Sequence, residues 1–365
     1  MMSLEQILAY AIKNGASDIH LTVGSPPAVR IDGDVRFVGE ESVTPRDNLG
    51  YLDIVLSPQQ KERFLRTGDF DLAYSVSGLG RFRVNVLRQR GSIGFVFRHV
   101  KGKILSFDSL NLPPVMNTIS DMRRGLALIT GTTGSGKSTT LAAMIDRINE
   151  TRRCHIITLE DPIEFLHSNK KSIVTQREVA IDTRSFKTAL RAAMREDPDV
   201  ILIGEMRDAD TFGAAMAAAE TGHLVFSTLH TTNVMLTLDR ILDMFPANQH
   251  AQIRSQLALQ IRAIVSQRLL AAADGKGRVP AIEVMLNTPA IAQLMRENQV
   301  KQISNAIGGG KEEGMQTFNM SLVESVKKRL VTEEEATLSS DNPDELRMNL
   351  QGIFLSQGRG GILKR

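Results

Sequence analysis

The sequence predicts a two-part α/β protein: a small α+β domain over residues 1–100 and a larger domain built on a mainly parallel sheet over 115–365, joined by a linker at 101–114. Three observations carry this. Alternating apolar residues dominate the first hundred positions. From Gly125 onward short apolar runs interleave with helical-period segments, the pattern of a parallel sheet covered on both faces. Between them, Ile129-Thr-Gly-Thr-Thr-Gly-Ser-Gly-Lys-Ser-Thr-Thr140 fits G-x-x-x-x-G-K-[ST] from Gly131 to Ser138, in the strand, loop, helix setting of a phosphate-binding loop.

Taken in order, Leu4, Ile7, Leu8, Ala11 and Ile12 recur at helical spacing, and Asn14-Gly15 stops that helix. Ile19, Leu21 and Val23 then alternate with His20 and Thr22, and Val29/Ile31 and Val35/Phe37 flank Asp32-Gly33, a hairpin turn signal. Asp47 to Arg66 reads as two short helices broken at Ser57-Pro58. Strands follow at Phe70 to Val76, Arg81 to Leu87 and Ile93 to Arg98. Lys101 to Pro114 has Gly102, Pro113 and Pro114 and little periodicity, which suits a linker.

The second domain reads as strand 126–130, helix 137–149, strand 155–159, helix 185–195, strand 200–203, helix 210–219 and strand 224–229. Phe186, Ala189, Leu190, Ala193 and Met194 form the apolar stripe of the helix at 185–195. After Phe245-Pro246, the segments 248–270, 288–297 and 318–329 have helical spacing, and the chain ends in a polar, glycine-containing tail.

Composition narrows the classes. With 42% hydrophobic and 23% charged residues the chain is an ordinary globular one, and 365 residues fit about two domains. A net charge of +3 gives no general attraction to nucleic acid or anionic lipid. The single cysteine, Cys154, excludes an internal disulfide and a cysteine-cluster zinc site. It precedes an apolar strand and reads as a small buried residue rather than a nucleophile. The opening residues lack a signal-peptide pattern, and residues 221–238, although free of Asp, Glu, Lys and Arg, are too rich in His, Asn, Thr and Ser for a bilayer span. These features predict a cytoplasmic protein that meets a membrane only through partners.

Glycines at 131, 134 and 136 let the backbone curl so that its N–H groups, and those of the following helix, face a polyanion. The cradle is Gly131, Thr132, Thr133, Gly134, Ser135, Gly136, Lys137, Ser138 and Thr139. Lys137 is placed to reach the β- and γ-phosphates of ATP, and Ser138 to hold Mg²⁺ through its hydroxyl. Hydrolysis also needs carboxylates and a γ-phosphate sensor. Strand 155–159 runs into Glu160-Asp-Pro-Ile-Glu164, and strand 200–203 into Gly204-Glu-Met-Arg207. An acid ending a strand beside the phosphate-loop strand is the Walker B arrangement, so Glu205 is a second metal-holding candidate and Glu164 a candidate base. His223 and His230 bracket strand 224–229. In the first domain Arg81 and Arg83 share the strand face opposite Phe82, Val84 and Val86, either as a solvated basic face or as a cationic clamp on phosphate. An arginine finger is worth about 10³ to 10⁵ in rate.

These motifs together resemble the type IV pilus retraction ATPases, the PilT-like branch of the secretion ATPase superfamily. The resemblance rests on the phosphate loop, Gly15-Ala-Ser-Asp-Ile-His20, Arg81-Phe-Arg-Val-Asn85, Leu159-Glu-Asp-Pro-Ile-Glu164, Gln176-Arg-Glu178, Asp197-Pro-Asp-Val-Ile-Leu-Ile-Gly-Glu-Met-Arg-Asp208 and Thr221-Gly-His-Leu-Val-Phe-Ser-Thr-Leu-His-Thr231. It implies a homohexameric ring with a PAS-like N-terminal domain and a RecA-like P-loop ATPase domain, with ATP between subunits. By motif, Lys137 and Ser138 handle phosphate and Mg²⁺, Glu205 is the Walker B acid, and Glu164 is the general base. His230, with His223, senses the γ-phosphate, and Arg81, Arg83 and the neighbouring Arg88 complete an adjoining subunit's site. The resemblance further implies a platform protein at the inner membrane as partner and pilus retraction with twitching motility as the output.

The sequence departs from the family at 288–297, where Ala292-Gln293 stand in place of Arg-Asn. Whether the chain is the main retraction motor or an accessory retraction ATPase is left open by that element. An extension ATPase of the superfamily predicts a four-cysteine zinc element, against one cysteine here. A nucleic-acid motor predicts an aromatic-bearing channel, against 5% aromatic residues and no tryptophan. A nucleotide-binding ring with little turnover predicts loss of Glu164, Glu205 or the arginines, and all are present.

Overall fold

A computed structural model of the chain describes residues 2–31, 33–100, 102, 104–355 and 362–364; Asp32 of the predicted hairpin turn and Lys101 of the linker fall outside them. The chain divides into two units, Met1–Lys103 with Ile163–Leu166, and Ile104–Pro162 with His167–Arg365.

The first unit holds helix α1 (Leu4–Lys13), strands β1 (Asp18–Leu21), β2 (Ala28–Ile31) and β3 (Asp34–Phe37), helices α2 (Pro45–Val55) and α3 (Pro58–Thr67), and strands β4 (Asp69–Val76), β5 (Gly80–Gln89) and β6 (Ser92–His99). All three helices begin on a reciprocal side-chain cap, Ser3 with Gln6, Thr44 with Asp47 and Ser57 with Gln60, which satisfies N–H groups that the helix itself leaves open. The six strands form an antiparallel sheet in the order β3-β2-β1-β6-β5-β4. Phe82, Val84 and Val86 of β5 are buried with Ile19, Leu21, Phe95 and Phe97. Their neighbours Arg81 and Arg83 occupy the opposite face, as period-two geometry requires.

The second unit contains α4 (Val115–Asp121), β7 (Gly125–Thr130), α5 (Lys137–Thr151), β8 (His155–Glu160), β9 (Ile173–Glu178), α6 (Phe186–Ala193), β10 (Val200–Ile203), α7 (Ala209–Glu220), β11 (Leu224–Leu229), α8 (Val234–Leu242), α9 (His250–Gln260), β12 (Ile261–Ala271) and β13 (Arg278–Leu286). Then come α10 (Pro289–Arg296), α11 (Val300–Gly309), α12 (Phe318–Lys327), α13 (Glu333–Ser339), α14 (Pro343–Leu350) and the short strands β14 (Ile353–Leu355) and β15 (Ile362–Lys364). The sheet order is β13-β12-β7-β11-β10-β8-β9, parallel except for β13. Both faces are covered. Leu126 and Leu128 of β7 pack with α7 and α9, whereas Ala127 and Ile129 pack with α4 and α5. This is the RecA-like α/β architecture, with a further helical cluster of Phe318, Leu322, Ala336 and Leu346 against the ends of β12 and β13.

Three expectations change. The segment 248–270 is not one helix: α9 ends at Gln260 and β12 begins at the next residue. Ile253, Leu257, Ile261 and Ile264 carry helical spacing across that junction without a glycine or proline, and a strand buried on both faces has no alternation to betray it. The strand bearing Glu205 is not beside the phosphate-loop strand, because β11 lies between β10 and β7. Strand order within a parallel sheet leaves no mark on equally apolar strands. Of the stretch read as linker, residues from Ile104 belong to the second unit, with Phe107 and Leu112 buried in its core. Cys154 is partly buried at the edge of the same core, its Sγ 3.2 Å from the Ser172 hydroxyl.

Candidate active site

The parallel register sets the site. Thr130 pairs with Leu229, Ile203 with Ser227, and Ile203 again with Leu159, so the chain leaves β7, β11, β10 and β8 along one edge of the sheet. That edge carries Gly131, His230, Gly204-Glu205 and Glu160, at the C-terminal strand ends where α/β sheets hold ligands. The Ser227 and Thr228 hydroxyls fix the exit of β10 by donating to the carbonyls of Ile203 (2.8 Å) and Gly204 (2.6 Å).

The phosphate loop is locally dictated. At Gly131 (φ +148°) an added Cβ would stand 2.4 Å from the Gln267 carbonyl oxygen and 2.4 Å from the Ser135 hydroxyl, so the position admits no side chain. Helix α5 starts after Gly136 with no side-chain cap, which leaves its first N–H groups for a ligand. Lys137 is 8% exposed, and its Nζ donates to the carbonyls of Gly131 (2.8 Å) and Thr132 (3.0 Å), curling over the loop mouth. Ser138 and Thr139 are half-buried beside it; Thr132, Thr133 and Gly134 are exposed. The Ser135 hydroxyl is buried without a hydrogen-bond partner among the described residues. An uncapped helix start, a glycine-rich curl and a buried ammonium fit a polyphosphate.

Glu205 stands next to Met206, whose N–H donates to the Thr228 carbonyl at 3.2 Å. The Glu205 side chain is 13% exposed and has two partners: Arg207 pairs with one carboxylate oxygen, and His230 Nε2 lies 3.5 Å from the other. Arg207 and His230 are themselves 76% and 51% exposed, so both close on the acid from the solvent side. Glu160, at the end of β8, accepts from Thr158 Oγ1 (2.7 Å) and Gln176 Nε2 (3.2 Å), which ties the Gln176-Arg-Glu178 motif to the strand end.

The structure therefore brings Lys137, Ser138, Glu205 and His230 to one edge. His223 is not among them. It precedes β11 at the other end of the sheet, roughly 20 Å away by strand rise, where its Nδ1 meets the Ala218 carbonyl at 2.9 Å as a local turn bond. Glu164 is exposed on the segment Ile163–Leu166 of the first unit, and Arg81 and Arg83 lie on β5 of that unit, Arg83 exposed. Sequence reading misses Gln267, buried against the loop from β12, because the helical spacing of 248–270 conceals that strand. It also passes over Arg207, although Glu205-Met-Arg207 puts both charges on one short turn.

A family model described as type II/IV secretion system protein matches residues 1–352. The chain belongs to this family. Within it the likeness is to pilus retraction ATPases. The type IV pilus retraction ATPase PilT of Pseudomonas aeruginosa is 46% identical over 94% of this chain and 99% of its own length. The type IV pilus ATPase PilU of the same organism is 40% identical over 96% of this chain and 92% of its own. A crystal structure of the pilus retraction motor PilT with bound ADP superimposes with a TM-score of 0.88, at 46% identity, covering 95% of this chain and 99% of that one. The chain is thus PilT-like over nearly its whole length, a P-loop ATPase. Among the described residues, no helix is long and apolar enough to cross a membrane.

Proposed function

We propose that this chain is an ATP-hydrolysing motor that works as a homohexamer and withdraws type IV pili, giving twitching motility. The observation that carries the reading is the shared sheet edge: a buried Lys137 in a glycine-rich loop, with Glu205 and His230 at neighbouring strand ends. Lys137 screens the β- and γ-phosphates once it leaves the Gly131 and Thr132 carbonyls, and the first turn of α5 supplies N–H donors. Ser138 and Glu205 are the residues that would hold Mg²⁺, which neutralises phosphate charge. Glu164 takes the proton of the attacking water as general base. His230, through Glu205, reports whether the γ-phosphate is present. Arg81 and Arg83 serve the site of an adjacent copy, and His223, remote from the phosphate loop of its own chain, is assigned no catalytic part.

The higher identity to PilT than to PilU favours the main motor over an accessory one. In this reading the ring sits in the cytoplasm against a platform protein of the inner membrane and binds no nucleic acid. Deleting the gene in its host should leave pili on the surface that no longer retract; normal retraction would exclude the motor role. In the purified protein, Glu164→Gln should retain ATP binding and lose hydrolysis, and full turnover in this variant would remove Glu164 as base. Mixing Arg81→Ala/Arg83→Ala subunits with Lys137→Ala subunits should restore part of the activity if the arginines act across an interface. Turnover that short DNA stimulates would instead indicate a nucleic-acid motor.

A further inference from the structure

We propose that Gln267 is a positioning residue of the nucleotide site: reaching from β12, it braces both ends of the phosphate loop and so sets how well the loop accepts a triphosphate. The proposal rests on the reading of that loop as an ATP site.

Gln267 is 3% exposed and touches the loop in three ways. Its main-chain carbonyl oxygen lies so near Gly131 that a Cβ there would be 2.4 Å away, so the backbones of β12 and the loop entrance are in contact. Its side-chain Nε2 would stand 2.7 Å from a Cβ on Gly136, the glycine that ends the loop. Its Oε1 accepts a 2.8 Å hydrogen bond from the hydroxyl of Thr140, which is 1% exposed and lies in the first turn of α5. One residue earlier, the fully buried Ser266 and Thr130 hydroxyls share a 2.8 Å hydrogen bond between β12 and the last residue of β7, which fixes the register of this contact.

An amide in this position is not what packing alone calls for. Burying a polar amide is costly unless it is bonded, and an apolar side chain would fill the same space between β12 and α5. What an amide does that leucine does not is hold Thr140, and hence the start of α5, at a fixed distance from β12. The N–H groups that receive phosphate belong to that same helix start and to the loop before it. A carboxylate at 267 would keep the shape and the acceptor but set a negative charge beside the phosphate cradle.

The test is nucleotide binding by the full-length chain in Mg²⁺ buffer, with fluorescent ADP and ATP analogues as probes and the thermal midpoint of nucleotide-free protein measured alongside. Gln267→Glu should raise the Kd for the ATP probe by about tenfold or more and that for the ADP probe by less, because repulsion grows with phosphate charge. Thr140→Val should weaken both probes several-fold, and Thr140→Ser, which keeps the hydroxyl, should bind like wild type. In steady state the loss should fall on KM rather than kcat, as for an interaction present before and during the reaction. Equal weakening of both probes in Gln267→Glu that merely follows a lowered melting temperature would make Gln267 a core residue and overturn the proposal, as would wild-type affinities in Gln267→Glu and Thr140→Val. Folded wild-type protein that binds neither probe would overturn the ATP-site reading itself; wild-type binding with unaffected variants would overturn only the brace.

Discussion

His230 Nε2 lies 3.5 Å from one carboxylate oxygen of Glu205, and Arg207 holds the other. The acid is largely enclosed while both partners are open to solvent, so Glu205 is covered by two groups that water can receive when they leave it. An exposed ion pair is worth about 0.2–1 kcal/mol.

On the proposed role of Glu205 in holding Mg²⁺, Arg207 competes with the metal for that carboxylate. Arg207→Gln is expected to lower the Mg²⁺ concentration needed for half-maximal nucleotide binding by about 1.4- to 5-fold, the factor a pair of that strength represents. A Mg²⁺ titration of nucleotide binding checks this. An unchanged or raised requirement would show that Arg207 does not oppose the metal.

The loop glycines should not be equally sensitive. Gly134 has φ +81° but nothing within 4 Å of where a methyl group would stand, so Gly134→Ala meets only backbone strain, about 1–2 kcal/mol. Gly131→Ala would drive a methyl into the Gln267 backbone and should abolish nucleotide binding and lower the melting temperature sharply. Binding isotherms and thermal melts of the two variants should differ accordingly.

Glu283 on β13 is 8% exposed, accepts from the Val234 N–H at 2.8 Å, and is pushed by burial up to about 7. Between its ordinary value of 4.5 and about 7 the folded protein binds the proton more tightly than the unfolded chain, so stability falls as pH rises through that window. His167 acts oppositely: burial lowers it from 6.5 to about 4, so stability falls as pH drops through that window. Glu283→Gln keeps an acceptor for Val234 and should add a few kcal/mol at pH 8. Denaturant melts across pH 4 to 8 should then lose the fall on the alkaline side and keep the acid-side loss, to which His167 and His99, both lowered by burial, contribute.

Arg268 ties the helical cluster to β12. Its guanidinium lies 4.0 Å above the Phe318 ring, donates to both Asp341 oxygens (2.8 and 2.7 Å) and reaches the Ser339 carbonyl at 2.8 Å. A flexible ammonium cannot reproduce that flat fork, so Arg268→Lys should cost about 1–3 kcal/mol of stability. Chemical denaturation checks the loss, and near-wild-type stability would show that the stack and fork contribute little.

Much of this is legible in the residues. The phosphate loop carries its own structural setting, and the strands before Glu160, Glu205 and His230 are mainly apolar runs, interrupted only by Thr158, Ser227 and Thr228, with polar ends. The order of those strands is not legible, because β8, β10 and β11 are equally apolar and any order buries them alike. Gln267 and Glu283 are hidden for a related reason: β12 and β13 are buried on both faces and close the sheet from far along the chain. His223 looks like His230 because both flank β11, yet a parallel strand has a ligand end and a remote end, and only pairing with β7 tells which is which.

β12 lies directly against β7, although more than a hundred residues separate them in the chain. Ribosomes release the phosphate loop long before its supporting neighbour exists. A nascent chain that stops short of residue 261 thus has the whole nucleotide-binding motif but leaves one flank of β7 bare. Competence to bind nucleotide should arrive late in synthesis, and the fraction of a preparation that takes up nucleotide would count finished molecules.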